Sequence, residues 1–223
     1  MIRLPGLPMD MANACPVCLA RGSEPFATAG GRSYWRCPGC EATFLDPGQL
    51  PDREAERRRY LLHRNDPEDA GYRAFLGRLA GPLLERVGPG GAGLDYGCGP
   101  VPVLAGMLAA EGRAVELYDP LFFDRPEALA RSYDFIACSE AAEHFHRPAD
   151  EFARLDGLLR PGGWLGVMTA FLADDIRFES WHYRGDSTHV VFYREATFRR
   201  LAGRFDWSCE FPARDVALLR KGR

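Results

Sequence analysis

The 223-residue sequence has no apolar run approaching the roughly 20 residues that a membrane-crossing helix needs, so no membrane partner is expected. It has no excess of one charge. With 28 basic and 31 acidic residues the net charge is −3, which leaves no footprint for nonspecific nucleic-acid binding. It has almost no lysine: Lys221 stands alone among arginines, a bias of base composition rather than of mechanism. Internal repeats and low-complexity tracts are absent. Residues 1–10 carry one arginine and three leucine or isoleucine residues but no long apolar core, so no signal peptide is expected. The seven cysteines then belong in a reducing, cytoplasmic setting, where Cys-x-x-Cys pairs point to metal before disulfide.

Hydrophobic content of 46% and charged content of 26% are globular values. The length suits one α/β domain of ordinary size and a small extra module. That module is written in Cys15-Pro-Val-Cys18 and Cys37-Pro-Gly-Cys40, separated by 18 residues. Each pair turns tightly enough to aim two thiolates at one point, and two such turns make a tetrahedral zinc ribbon. A module this small cannot bury enough surface to fold alone, whereas structural zinc contributes on the order of 10 kcal/mol. The expected organisation is a ribbon over 1–46, a helical linker or cap over 47–87, and a larger domain over 88–223. Within the cap, the helical run from Arg53 to Arg64 leads to a break at Asn65-Asp66-Pro67, with Asp66 as the expected cap of the next helix. That helix shows one apolar face: Tyr72, Phe75, Leu76, Leu79, Leu83 and Leu84.

The larger domain is organised around Leu94-Asp-Tyr-Gly-Cys-Gly-Pro100. It reads as a strand end, a glycine turn and a helix start, with Asp95 at the strand's end. Gly97 and Gly99, flanking Cys98, remove side chains where a ligand lies against backbone. Pro100 and Pro102 delete N–H donors from the first helical turn, so the loop suits a ligand without phosphates. A nicotinamide fingerprint would need glycine where Pro102 stands. These residues resemble the first motif of class I S-adenosylmethionine (SAM)-dependent methyltransferases, with Val101 at the usual third glycine.

The resemblance extends over about residues 90–220. Asp119, followed by Pro120, ends the next strand 24 residues after Asp95, where this fold places a ribose-binding acid. Leu121-Phe-Phe123 would wall the adenine or simply join the core. Only 13 residues separate Asp119 from Tyr133, so a third strand should be short or missing. Tyr133–Ser139 reads as the fourth strand, and Glu140-Ala-Ala-Glu-His144 resembles the family's segment after it. By that likeness Ser139 and Glu140 border the methionine end of SAM, and Glu143 and His144 face the substrate. His146 reads as surface. The segment from Phe178 to Tyr193 mixes aromatic and polar groups in a link that faces substrate in this fold. It supplies Trp181, Tyr183, Asp186, Thr188 and His189 as pocket candidates, the competing reading being a lid packed on itself.

The fold expected is therefore a Rossmann-like, doubly wound α/β fold with a mainly parallel seven-stranded sheet. The implied activity is in-line methyl transfer from SAM to a small molecule. His144, His189, Glu143 and Asp186 are the candidates for general base. Two alternatives remain. One is an rRNA or tRNA base methyltransferase using the ribbon, Trp35 and the arginines at 57–59 as RNA contacts. The other is a non-catalytic ribbon adaptor with a vestigial pocket.

Overall fold

A computed structural model describes residues 14–62 and 65–222. The larger domain is built on a six-stranded sheet in the order β5-β4-β6-β7-β10-β9. Its parallel part comprises β4 (Ala92–Tyr96), β5 (Ala114–Tyr118), β6 (Tyr133–Ser139) and β7 (Leu159–Met168). The chain ends in an antiparallel pair, β9 (Trp207–Ala213) and β10 (Val216–Lys221), with β10 antiparallel to β7. Seven strands are reduced to six because the third is missing. The short stretch after Asp119 forms only an isolated bridge to Phe123 and a single-turn helix over Pro126–Ala130.

Helices cover both faces. On one side, α2 (Ala70–Arg86) and α3 (Val103–Ala110) bring Leu76, Leu79, Leu83, Leu104 and Leu108 against Phe135, Met168 and Leu218. On the other, α4 (Pro148–Leu158) and α5 (Glu195–Phe205) bury Phe152, Leu155, Phe198 and Leu201 against Leu94, Ile136 and Val167. Gly93 is required in β4 because a Cβ there would lie 2.1 Å from the Phe135 ring. Helix α2 is capped by Asp69, which accepts from the Gly71 and Tyr72 N–H groups, and not by Asp66, which only turns the chain onto the Glu68 N–H. The preceding helix, α1 (Arg53–Tyr60), is capped by Asp52 and ends earlier than its sequence suggests. His63 and Arg64 lie outside the described residues.

The ribbon contributes β1 (Glu24–Ala29), β2 (Arg32–Arg36) and β3 (Thr43–Leu45) to a second sheet. The fourth strand of that sheet is β8 (Val191–Phe192), which comes from the link after β7. Tyr34 meets Phe178 edge-on and shares one buried cluster with Phe192, Phe198 and Leu94. The Thr197 hydroxyl of α5 donates to the Cys40 carbonyl, and the Ala149 N–H of α4 donates to the Pro16 carbonyl. Both cysteine turns are thus anchored through their carbonyls to the larger domain.

Candidate active site and metal centre

A cavity of about 800 Å³ opens at the carboxyl ends of β4, β5 and β6. One wall is the glycine turn. Gly97 and Gly99 adopt φ of +77° and +65°, a region that costs other residues about 1–2 kcal/mol. They serve different needs. A Cβ on Gly97 would lie 2.5 Å from that of Ala141, whereas one on Gly99 would meet nothing within 4 Å. The turn leaves backbone bare on the cavity side at Gly99.

Asp119 lies beside this turn and lines the cavity. One of its carboxylate oxygens accepts from the Gly99 N–H at 3.0 Å, and the other from Leu121 and Phe122. Three of its roughly four lone-pair positions are therefore filled by backbone. That leaves room for about one hydroxyl of a ribose. Asp95 does not reach the cavity. Its carboxyl is buried beneath the turn, and burial pushes its pKa up to about 7 against the Ala105 N–H that favours the charge. It joins β4 to the start of α3 rather than holding a ligand. Cys98 and Pro120 line the cavity, and burial raises the Cys98 thiol.

At the end of β6, Ser139 and Glu140 also line it. The Ser139 hydroxyl is buried with no hydrogen-bond partner, and Glu140 adopts φ of +49°, a strained conformation for glutamate. Burial, followed by the charge of Glu143, raises the Glu140 carboxyl. An orphaned hydroxyl, bare backbone at Gly99 and a partly free carboxylate at Asp119 form a donor set that fits a nucleoside bearing an amino acid.

The far wall brings together Glu143, His144 and His189. Glu143 is fully buried and accepts from the Tyr183 hydroxyl at 2.5 Å. His144 Nε2 lies 3.9 Å and His189 Nε2 4.0 Å from the same Glu143 oxygen. The Thr188 carbonyl is 2.9 Å from His144 Nδ1. Since a carbonyl only accepts, Nδ1 carries a proton, and in the neutral ring Nε2 keeps a lone pair. Burial pulls the His189 pKa down to about 4, so that ring is neutral.

Other pocket candidates stand behind this wall. Asp186 does not line the cavity, because its carboxylate takes Arg59 at 2.8 Å and the Thr188 N–H and hydroxyl. Trp181 packs on Phe192, Tyr183 supports Glu143 and Thr188 is buried, so of the five only His189 meets the cavity. Conversely, His146 is not simply surface. It lines the cavity and pairs with Glu56 of α1 at 2.8 Å. No spacing in the sequence links those two. Tyr60, Tyr72 and Phe75 also line the cavity, at the helix break.

In the ribbon, the four cysteine sulfurs lie within 4.8 Å of one another, with Cys15–Cys40 and Cys18–Cys37 each at 3.6 Å. A tetrahedron with metal–sulfur bonds of about 2.3 Å needs sulfurs about 3.8 Å apart, so the donor set fits zinc. The two turns match: Leu19 and Glu41, each following a second cysteine, adopt φ of 63° and 61° and donate back to Cys15 and Cys37.

No curated protein matches the chain. Among solved structures, the Burkholderia thailandensis 1,6-didemethyltoxoflavin-N1-methyltransferase, bound to 1,6-didemethyltoxoflavin and S-adenosylhomocysteine, is 15% identical with a TM-score of 0.54. The match covers 90% of this chain and 100% of that one. The magnesium protoporphyrin IX methyltransferase from Synechocystis PCC 6803, with bound S-adenosylhomocysteine, is 16% identical with a TM-score of 0.54, over 75% and 93% of the two chains. At such identities the likeness concerns the fold. A family model described as a methyltransferase domain matches residues 69–210, more than half of the sequence. With that match laid over a glycine turn, a strand-end acid and a cavity at the sheet's carboxyl edge, the chain belongs to the methyltransferase-domain family, in the class I SAM-dependent fold.

Proposed function

We propose that this protein transfers a methyl group from SAM to a small-molecule acceptor. SAM, when bound, supplies a methyl group on a positively charged sulfur. The bare backbone at Gly99, the Asp119 carboxylate and the Ser139 hydroxyl hold the nucleoside and amino-acid ends. The acceptor is activated opposite, at Glu143, His144 and His189. The His144 Nε2 lone pair, held free by the Thr188 carbonyl, suits removal of a proton from an O–H or N–H acceptor.

The observation that carries the small-molecule reading is how the acceptor end is covered. Helix α1 is tied down on both sides, by Arg59 to Asp186 and by Glu56 to His146. Of the groups that would greet RNA, Arg59 and Trp35 are held within the chain and Arg58 has an exposed partner. Arg59 is in that ion pair, Arg58 pairs with Glu54, and the Trp35 indole donates to Asp46. The ribbon's cysteine turns face the larger domain through Thr197 and Ala149. A structural role for zinc at Cys15, Cys18, Cys37 and Cys40 agrees with this packing. The two structural neighbours act, by name, on 1,6-didemethyltoxoflavin and magnesium protoporphyrin IX.

The test is transfer of labelled methyl from SAM into fractionated cell extract, with and without ribonuclease. Label in a low-mass, ribonuclease-resistant fraction is expected. Label lost with ribonuclease would favour the RNA reading, and failure to bind SAM would favour an adaptor.

A further inference from the structure

We propose that Glu143, His144 and His189 bind a divalent first-row transition ion that coordinates the methyl acceptor through its hydroxyl. This rests on the methyltransferase reading above and names the acceptor class: an alcohol, phenol or enol that ligates metal. Three observations carry it.

The first is geometry. One oxygen of Glu143 lies 3.9 and 4.0 Å from the Nε2 atoms of His144 and His189, and one ligand atom from each residue falls within a 4.8 Å cluster. Two ligands about 2.1 Å from one ion lie roughly 3.0–3.4 Å apart, so each ring needs to close on the carboxylate by about 0.5–1.0 Å. Two histidines and a glutamate are a donor set of catalytic zinc and of open-sided iron sites.

The second is outer support. The Thr188 carbonyl fixes the tautomer of His144 and points a bare Nε2 toward Glu143. The Tyr183 hydroxyl, itself bonded to Thr169, orients the carboxylate. Ligands of a metal are oriented in this way by carbonyls and hydroxyls behind them.

The third is unsatisfied polarity. Glu143 is fully buried, and its second oxygen has no hydrogen-bond partner, nor has His189 Nδ1. Among the described residues, only the two histidines come within ion-pair distance of Glu143, and no arginine or lysine does. A buried carboxylate without a permanent countercharge is costly, and a cation at this point supplies one.

On the ion, the His144 Nε2 lone pair serves as a ligand in place of the base it would be without metal, and the reaction balances as follows. The acceptor hydroxyl binds the ion and loses its proton to water at the cavity mouth. Its oxygen forms the new bond to the methyl carbon, while the carbon–sulfur bond breaks with its electron pair passing to sulfur. A methyl ether, S-adenosylhomocysteine and one proton result.

The test is titration of Co²⁺ into the tag-free full chain with its ribbon cysteines already filled by zinc, followed by calorimetry and visible spectroscopy. One further equivalent is expected, with ligand-field bands but no thiolate-to-cobalt charge-transfer band. His144→Ala, His189→Ala and Glu143→Gln should each weaken it at least by the roughly 10–100-fold that loss of an outer partner costs. Binding of S-adenosylhomocysteine, measured on the same samples, shows that each variant is folded. Absence of the extra equivalent in the parent protein, or equal affinity in all three variants, would overturn the metal site. Loss of S-adenosylhomocysteine binding by the parent protein would instead overturn the methyltransferase reading, whatever cobalt does.

Discussion

Replacing Gly97 and Gly99 separately by alanine should divide the fold from the ligand site. Both residues have positive φ, so each alanine costs about 1–2 kcal/mol from that source. At Gly97 the new methyl also lies 2.5 Å from the Ala141 Cβ. Overpacking of that kind adds about 1–3 kcal/mol, for a total of about 2–5 kcal/mol. At Gly99 nothing lies within 4 Å, so no such cost arises. A chain of this length loses about 2–4 °C in melting temperature per kcal/mol. Gly97→Ala should therefore melt about 4–20 °C lower, and Gly99→Ala about 2–8 °C lower. With S-adenosylhomocysteine at 100 times its dissociation constant, binding contributes about 2.7 kcal/mol, which raises the parent melting temperature by about 5–11 °C. Gly99→Ala should lose most of that ligand-induced rise, because its methyl occupies the bare cavity wall. Thermal shift with and without the ligand reads both quantities. A Gly99→Ala protein that keeps the whole rise would refute the placement of the cofactor against this turn.

Asp119→Asn keeps an acceptor for the Leu121 and Phe122 N–H groups but loses the charge. Calorimetry should show S-adenosylhomocysteine bound roughly 10–150-fold more weakly, the worth of one hydrogen bond to a charged group, and unchanged affinity would remove Asp119 from the ribose site. Asp95 is held at about 7 against an ordinary 3.8, so between those values the folded protein keeps a proton that the unfolded chain has released. Its contribution is complete below pH 4 and is lost as pH rises through 7. Asp95→Asn should reduce the fall in stability between pH 5 and 8 by about 3 kcal/mol in urea titrations, and parallel pH profiles would contradict this. Because the ribbon and larger domain share one apolar cluster, calorimetry should show a single unfolding transition that moves down when zinc is stripped. A separate early transition would mean that the ribbon folds on its own.

Local punctuation made much of the fold legible. Strand Tyr133–Ser139 has the bounds its sequence suggests, and strand Ala114–Tyr118 stops at Asp119-Pro120 as expected. The count of residues after Asp119 foretold the missing third strand. What escaped depends on partners distant in sequence. Nothing local tells that Asp69, three residues beyond Asp66, caps α2, since both can turn the chain onto a following N–H. Asp186 looks like a base until Arg59 is found across from it. His146 looks like surface until Glu56 arrives from a helix far earlier in the chain. The lining of the cavity was legible where one motif holds it, at Gly97–Gly99 and Glu143–His144, and opaque where an ion pair between separate segments decides which way a side chain faces.

The same distinction bears on why a metal ribbon precedes this domain. Strand β3 pairs with β8, and the Leu45 N–H donates to the Val190 carbonyl at 2.8 Å. The Val190 N–H in turn donates to the Glu143 carbonyl at 2.8 Å. His189 precedes Val190, and Thr188, whose carbonyl fixes His144, precedes His189. Two backbone bonds therefore connect the ribbon's last strand to the residues that face the acceptor. Long loops on this fold are ordinarily free to move, since few contacts hold them. Here residues 188–192 are stitched into a sheet whose other strands are closed by four cysteines. The ribbon's last strand therefore supports from behind the segment that brings His189 to the cavity wall.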